Sequence, residues 1–387
     1  MPPLSMLIKP VSGSCDLRCR YCFYQNNSGV MPLETLEALT QKALAFADGS
    51  CAFLFQGGEP TLAGLPFFET LLAYQKRHNT KHVAISNAIQ TNGTRIDRAW
   101  AAFLAENDFL VGLSLDGPEA LHDQNRRGVD GEGSFRRVMQ AAQLLQQAGA
   151  RLNILCVVSR ANAARGGQVY RFFKENGFRH LQFIPCLDPL GARRGSFAWS
   201  LTPRSYLAFL KATFDLWYQD RKAGDAPGIR YFDNLLGMVM GQPPEACGMS
   251  GVCGCQFVVE ADGGVYPCDF YVSDEWKIGN IEEHGFEEMR FSPVCVRFIG
   301  ESLRLHPDCR ACEWGSLCRG GCKRDRGGKP PDGKSAGKNY FCESYRAFFR
   351  YALPRLRELA PANRGVAPAN RISIPATAPL SPAARPS

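Results

Sequence analysis

Residues 15–22 read Cys-Asp-Leu-Arg-Cys-Arg-Tyr-Cys, and the interpretation of the whole chain starts from this stretch. Its three cysteines, Cys15, Cys19 and Cys22, follow shortly after a predicted first strand. Thiols so close together on one loop are better placed to ligate a metal than to cross-link distant segments. For three close cysteines taken alone, a zinc site and inert buried thiols are the alternatives.

Three thiolates can hold three irons of a cubane iron–sulfur cluster, whose usual complement is four cysteines. The missing fourth ligand leaves one iron open, as a catalytic zinc site leaves a position open for substrate. An open iron can chelate the amino and carboxylate groups of S-adenosylmethionine (SAM), and delivery of one electron then releases a 5′-deoxyadenosyl radical. The turn Gly57-Gly58-Glu59-Pro60 closes the predicted second strand. Because glycines let backbone atoms approach a ligand closely, this turn indicates a contact with the SAM amino group.

Working outward from the motif, the first 230 residues alternate short apolar runs with helical patterns. Six such β-α units predict a parallel sheet curled into a partial (β/α)6 barrel, with functional loops at the C-terminal ends of the strands. The predicted strands are Ser5–Val11, Cys51–Gln56, His82–Gln90, Leu110–Leu115, Leu152–Val158 and His180–Pro185. The predicted helices are Leu33–Ala47, Phe67–His78, Ile96–Glu106, Ser134–Ala148, Gln168–Asn176 and Pro203–Arg221.

A second group of cysteines lies downstream, where residues 247–342 hold ten of the sixteen in the chain. Eight of these ten are spaced as candidate ligands, which is enough for two fully ligated clusters. They are Cys247, Cys253, Cys268, Cys309, Cys312, Cys318, Cys322 and Cys342. Two zinc ribbons are the alternative reading, and Cys255 is an alternative ligand to Cys253. We expect Cys51, Cys156 and Cys186 to pack in the core.

These patterns divide the chain into four regions. Residues 1–235 form the predicted barrel, and residues 236–345 form a cysteine-rich domain that metal clusters would stabilise. A last helix is predicted over Cys342–Leu359. Its part beyond residue 345 makes up the third region, a C-terminal helix at 346–360. Residues 361–387 are rich in Pro, Ala and Ser, and we predict a disordered tail.

The charge balance is 45 Lys and Arg against 37 Asp and Glu, a dispersed excess that does not indicate nucleic-acid binding. The N-terminus lacks the pattern of a signal peptide. No apolar run approaches the roughly 20 residues of a membrane helix. The sequence therefore predicts a cytoplasmic protein with no membrane partner.

The chain resembles the anaerobic sulfatase-maturating enzymes of the radical SAM superfamily, in the subgroup with a cysteine-rich SPASM extension. The resemblance runs from residue 2 to about residue 357. It is carried by the cluster motifs and by longer strings: PPLS at 2–5, LIKP at 7–10, FQGGEPTLAG at 55–64, QTNGT at 90–94, VGLSLDGP at 111–118, NILCVV at 153–158, CLDPL at 186–190 and RYFD at 230–233.

This resemblance implies three [4Fe–4S] clusters, of which the first is held by Cys15, Cys19 and Cys22. It implies one auxiliary cluster on Cys247, Cys253, Cys268 and Cys322, and another on Cys309, Cys312, Cys318 and Cys342. It also implies SAM contacts from Tyr21, Gly58, Ser114, Arg126 and Leu187. Taken singly, Ser114 reads as a strand-end hydroxyl, Arg126 as a surface charge and Leu187 as core. The family places its catalytic base at Asp269, which otherwise reads as a turn carboxylate.

The function implied is oxidation of a Cys or Ser in an unfolded sulfatase polypeptide, near a Cys/Ser-x-Pro-x-Arg motif, to Cα-formylglycine without oxygen. An electron donor such as flavodoxin or ferredoxin is expected. One alternative is a radical SAM peptide maturase that forms thioether or other cross-links in a small precursor peptide. A second is a non-catalytic iron–sulfur electron carrier or zinc-ribbon module.

Overall fold

Ten strands form the centre of the protein in a computed structural model that describes residues 3–24, 29–327 and 336–360. The strands are β1 Leu4–Ile8, β2 Ser50–Phe55, β3 Ala84–Thr91, β4 Leu110–Ser114, β5 Arg151–Val158, β6 His180–Pro185, β7 Gly228–Ile229, β8 Val258–Val259, β9 Gly264–Tyr266 and β10 Gly279–Asn280. They join one sheet in the order β10-β9-β8-β1-β2-β3-β4-β5-β6-β7. Strands β1 to β7 are parallel to one another. The predicted βα arrangement is confirmed.

Helices connect these strands and cover the sheet. In the barrel part they are α1 Leu33–Phe46, α2 Leu65–His78, α3 Arg98–Glu106, α4 Glu119–His122, α5 Phe135–Gln147, α6 Arg160–Ala163, α7 Gly166–Glu175, α8 Pro203–Ala223 and α9 Arg230–Val239. Downstream lie α10 Cys247–Ser250, α11 Phe286–Arg290, α12 Pro293–Ser302, α13 Pro307–Arg310, α14 Gly315–Cys318 and α15 Cys342–Leu359. Among the described helices, none combines the length and apolarity needed to cross a membrane.

Helix α8 shows how local sequence sets an element's limits. Thr202 accepts a hydrogen bond from the Ser205 backbone N–H, and the Ser205 side chain binds back to the Thr202 backbone, which makes a capping box. Pro203 occupies the first turn, where a missing N–H costs nothing. Gly224 ends the helix in the left-handed conformation at φ 78°.

The C-terminal helix α15 packs against α8, so the end of the described chain closes the core on the β6 side. Phe348 meets Phe214 edge to face at 5.5 Å between ring centroids. Arg355 Nη1 lies 2.7 Å from Asp215 Oδ1. These contacts bury the apolar stripe that the sequence predicts over Cys342–Leu359.

Two details of the predicted barrel were wrong. Strand β1 ends at Ile8, not at Val11, so Lys9 begins the loop that leads to the cysteine motif. Strand β3 begins at Ala84, because His82 has a φ of 54° and cannot extend the strand backward. Strands β7 to β10 were not predicted.

The cysteine-rich region is attached through the sheet itself. Strand β8 pairs in parallel with β1, with Leu7 opposite Val258 and Ile8 opposite Val259. The Lys9 backbone N–H donates to the Val259 carbonyl at 2.8 Å. The first strand of the barrel therefore lies between β2 and β8, a strand of the cysteine-rich region.

Candidate active site

The three-cysteine loop lies at the C-terminal end of β1, against two other loops at the same edge of the sheet. The backbone N–H of Arg18 donates to the Arg127 carbonyl at 2.7 Å, and that of Arg20 donates to Asn125 at 3.0 Å. These bonds fix the loop against the segment after α4. The loop that carries the predicted ligands Cys15, Cys19 and Cys22 is thus fixed by backbone hydrogen bonds to a neighbouring segment.

The Gly-Gly-Glu-Pro turn after β2 packs directly on this loop. The Gly58 N–H donates to the Ser12 carbonyl at 2.6 Å, and the Glu59 N–H donates to Ser14 at 2.8 Å. A Cβ on Gly58 would lie 1.9 Å from the Ser14 carbonyl oxygen. Only glycine allows the two backbones to approach this closely.

Glu59 of the same turn links the ends of β2 and β3. Its fully buried carboxylate accepts hydrogen bonds from the Thr61 hydroxyl at 2.6 Å, the Thr91 hydroxyl at 2.7 Å and the Asn92 backbone N–H at 2.7 Å. Asn92 Nδ2 in turn lies 3.7 Å from Cys15 Sγ. Glu59 therefore stabilises the edge from which the cysteine loop projects.

The residues predicted to contact SAM lie at that same edge. Tyr21 is in the cysteine loop, Gly58 follows β2, and Ser114 ends β4. Arg126 follows α4, and Leu187 follows β6. Because parallel strands end on one side of a sheet, the fold brings all five to the region beside the three thiols.

Asp116, which the sequence analysis missed, organises part of this group. Its side chain is 1% exposed and accepts hydrogen bonds from the Tyr21 hydroxyl and from Arg126 Nε, the latter at 3.1 Å. The Val157 backbone N–H donates to its other oxygen at 2.9 Å. The Arg126 guanidinium also lies 5.4 Å from the Tyr21 ring centroid. Asp116 lies in the VGLSLDGP string, which was its available signal.

Two of the three thiols in the cysteine loop have pKa values above the ordinary range of a cysteine. Burial raises the pKa of Cys15 to about 11 and the pKa of Cys19 to about 12, although the nearby Arg126 opposes the second shift. A metal or cluster must therefore displace protons when it binds.

The downstream cysteines collect into two groups. The Cys322 thiol interacts electrostatically with Cys247 and Cys253, and Cys268 interacts with Cys322 and Cys247. These four come from three separate stretches of sequence.

The second group joins the dense run to the start of α15. The Cys318 thiol interacts with Cys309, Cys312 and Cys342, and Cys342 interacts with Cys309 and Cys312. The structure thus brings the eight thiols together in the same two sets that the family resemblance implies.

Cys255, the alternative ligand to Cys253, lies elsewhere. Its thiol is 6% exposed and hydrogen-bonded to Cys295, which is fully buried. Both belong to the apolar core beneath β8. This position favours Cys253 as the ligand.

The donor sets fit iron–sulfur clusters. All three groups consist of cysteine thiols, the ligands that such clusters prefer. Within residues 3–24, 29–327 and 336–360, no three His, Cys, Asp or Glu side chains could hold a single metal ion. A lone zinc ion requires a tight group, because each Zn–S bond is only about 2.3 Å long. The all-thiol donor sets are the observation that fits iron–sulfur clusters.

Asp269, the predicted base, lies where the cysteine-rich region meets the barrel. Gln56 Nε2 donates to its Oδ2 at 2.7 Å, and Lys9 Nζ lies 2.7 Å from its Oδ1. The Asp269 side chain is 12% exposed. Lys9 and Gln56 follow β1 and β2, so residues from two barrel strands hold a carboxylate that directly follows Cys268. Neither was identified from the sequence as a site residue.

Comparison with known proteins places this geometry in a family. Residues 10–163 match the model of the radical SAM superfamily, and residues 247–313 match that of the SPASM iron–sulfur cluster-binding domain. The chain is 49% identical to the cysteine-type anaerobic sulfatase-maturating enzyme of Clostridium perfringens strain 13, over 93% of this chain and 99% of the relative.

Two further matches add detail. The serine-type anaerobic sulfatase-maturating enzyme of Bacteroides thetaiotaomicron is 33% identical, over 93% of this chain and 94% of the relative. The solved structure of native anSMEcpe with bound AdoMet and Cp18Cys peptide has a TM-score of 0.89 and 49% identity, covering 93% of this chain and 99% of that chain.

Proposed function

The chain belongs to the anaerobic sulfatase-maturating enzymes of the radical SAM superfamily, and from that premise we propose that its target is a cysteine in an unfolded sulfatase segment. The reaction oxidises an active-site residue of a sulfatase to Cα-formylglycine. The cysteine type is supported by 49% identity to a cysteine-type relative, against 33% to a serine-type one. The similar solved structure of native anSMEcpe also holds a bound peptide, which is named Cp18Cys.

Iron–sulfur clusters and SAM serve this family, and we assign three [4Fe–4S] clusters to the three thiol groups. The first would be held by Cys15, Cys19 and Cys22. The auxiliary ones would be held by Cys247, Cys253, Cys268 and Cys322 and by Cys309, Cys312, Cys318 and Cys342. Tyr21, Gly58, Ser114, Arg126 and Leu187 would contact SAM. When bound, SAM supplies the 5′-deoxyadenosyl radical that takes a hydrogen atom from the target Cβ.

Asp269 is our candidate for the proton acceptor. Converting the CH₂–SH group to a thioaldehyde removes one hydrogen atom, one electron and one proton. The 5′-deoxyadenosyl radical would take the hydrogen atom, and an auxiliary cluster would take the electron. Water then replaces the sulfur, and hydrogen sulfide leaves. The Asp269 carboxylate is held by Gln56 and Lys9 at the edge of the sheet where the residues predicted to contact SAM lie. A carboxylate in this place is suited to accept the thiol proton. The observation that carries this proposal is the shared edge of the cysteine loop, the glycine turn and Asp269.

We assign residues 1–235 to the radical SAM barrel, 236–345 to the SPASM domain and 346–360 to a C-terminal helix. The predicted tail, 361–387, lies outside the described residues. We also propose a small acidic redox protein, flavodoxin or ferredoxin, as the electron donor, because the chain carries a net charge of +8.

The test uses anaerobically reconstituted enzyme, a chemical reductant, SAM and paired sulfatase-motif peptides that differ only in Cys or Ser at the target. We expect about 12 iron ions per chain. We also expect 5′-deoxyadenosine, an aldehyde on the Cys peptide, and a higher kcat/KM for Cys than for Ser. Mass spectrometry identifies the aldehyde, and Cys15→Ala enzyme is the control. SAM cleavage that leaves both peptides unmodified would contradict the proposal.

A further inference from the structure

Lys9 carries a charge in a fully buried position at the end of β1. Its side chain is 0% exposed, and its ammonium lies 2.7 Å from Asp269 Oδ1 and 3.3 Å from Glu260 Oε1. The Tyr24 ring centroid lies 3.2 Å from the same nitrogen. A lysine is almost never buried completely unless its charge is paired, and here two carboxylates and an aromatic ring surround the ammonium.

The stem of Lys9 is also confined. A Cβ on Gly57 would lie 3.0 Å from both Lys9 Cβ and Cγ, so the glycine turn lies directly against the side chain. On the other side, the Lys9 backbone N–H is bonded to Val259 at 2.8 Å. The barrel strands and the glycine turn therefore hold the Lys9 ammonium near the residues that we propose contact SAM.

Glu260 anchors Lys9 independently of Asp269. The Glu260 carboxylate is 2% exposed, and its other oxygen accepts a hydrogen bond from the Tyr24 hydroxyl. Tyr24 comes two residues after Cys22, so the contacts of Glu260 with Tyr24 and Lys9 connect Lys9 to the loop that carries the three thiols. Lys9 is thus fixed by Glu260 and Tyr24, whereas Asp269 is held through Lys9 on one oxygen and Gln56 on the other.

We propose that Lys9 is a positioning residue, which holds the Asp269 carboxylate at a fixed place relative to the bound SAM across the junction between barrel and cysteine-rich region. This inference rests on the proposed function, in which Asp269 accepts the substrate proton. Asp269 begins a short turn at 269–271, and its backbone belongs to the cysteine-rich region. Without Lys9, Oδ1 loses its ion pair and the carboxylate can rotate about its remaining bond to Gln56.

The test is Lys9→Met in the full chain with its clusters reconstituted. The primary measurement is the amount of 5′-deoxyadenosine formed per formylglycine, which a purely structural defect would not change. We expect this ratio to rise about 10- to 100-fold, since a displacement of about 1 Å in a catalytic group costs about 100-fold. The KM for the peptide should stay within about twofold, so that the loss falls on kcat for the aldehyde.

Lys42→Met is the matched control. Lys42 also joins the barrel to the C-terminal region, because its ammonium donates to the carbonyl oxygens of Ile281 at 2.6 Å and Glu282 at 3.0 Å. The hydrogen bonds of Lys42 go to Ile281, Glu282 and His284, and none goes to Asp269. The control should keep the wild-type ratio, and a rise equal to that of Lys9→Met would overturn the inference.

A second variant covers a folding failure. If Lys9→Met does not retain wild-type iron content, Lys9→Gln, which keeps a polar group in the same space, is measured in the same way, and the same rise in ratio is expected. An unchanged ratio in a variant with full iron content overturns the role of Lys9. A wild-type enzyme that makes no aldehyde from either peptide overturns the proposed function instead.

Discussion

Replacing Gly58 by alanine should separate the glycine turn from the three-cysteine loop. The new Cβ would lie 1.9 Å from the Ser14 carbonyl oxygen, 2.5 Å from the Ser14 carbonyl carbon and 2.8 Å from the Gly13 carbonyl carbon. All three are backbone atoms, so no side chain can turn aside to make room. The turn and the loop must move apart as segments.

The size of this movement follows from the contact. A Cβ is not found closer than 3.0 Å to such an atom, so at least about 1.1 Å must open between Gly58 and Ser14. The bonds from Gly58 to Ser12 and from Glu59 to Ser14 then lengthen or break. At about 1 kcal/mol for each bond, the loss of stability is about 2 kcal/mol. The expected effect on SAM cleavage is larger, about 100-fold, because the shift moves by about 1 Å a turn that we propose contacts SAM.

The assay measures 5′-deoxyadenosine formation, SAM binding and iron content under anaerobic conditions. Gly285→Ala is the matched control, since its φ is −89° and a Cβ there meets no atom within 4 Å. We expect wild-type SAM cleavage, SAM binding and iron content from the control. Wild-type SAM cleavage and binding by Gly58→Ala would refute the claim that close backbone contact builds the cofactor site.

Three other predictions concern the thiols and the carboxylate. Cys15→Ala should abolish 5′-deoxyadenosine formation while iron analysis still finds about two thirds of the wild-type metal, because the auxiliary thiol groups are intact. Asp269→Asn should keep SAM cleavage but lower the aldehyde yield about 100- to 10,000-fold, and a normal yield would rule out its role as base. Cys253→Ala should remove about one third of the iron, whereas Cys255→Ala should leave the iron unchanged and cost about 1 kcal/mol in thermal or denaturant unfolding. Equal iron loss from both variants would contradict the choice of Cys253.

Much of the barrel could be predicted because its signals are local. Six apolar runs and the helices between them were found within a few residues of their observed limits, and the last helix was predicted over its observed Cys342–Leu359 span. Strands β7 to β10 contain only two or three residues each, too few to show an alternating pattern. They form through pairing with distant strands, a contact that no local window contains.

The site was predictable only in part, for a related reason. Cysteines are conspicuous by type, but spacing alone does not show that Cys322 joins Cys247 and Cys253, because that contact depends on the folded path of the chain. The sequence predicts a strand that extends to Val11, so Lys9 reads as a strand residue and its buried position at the end of β1 does not show. Glu260 and Gln56 look like ordinary strand-end residues until the sheet places Gln56 against Asp269 and Glu260 against Lys9.

The pairing of β8 with β1 has a consequence for the order in which the protein can be completed during synthesis. The ribosome makes β1 long before its partner, because Ser12, just beyond β1, accepts a hydrogen bond from the Ala261 backbone N–H, 249 positions later. Until that late segment emerges, one side of β1 offers unpaired backbone groups to any neighbouring polypeptide. A nascent chain of this protein therefore exposes an unpaired strand edge until that segment has been made, and chains truncated before residue 258 should aggregate.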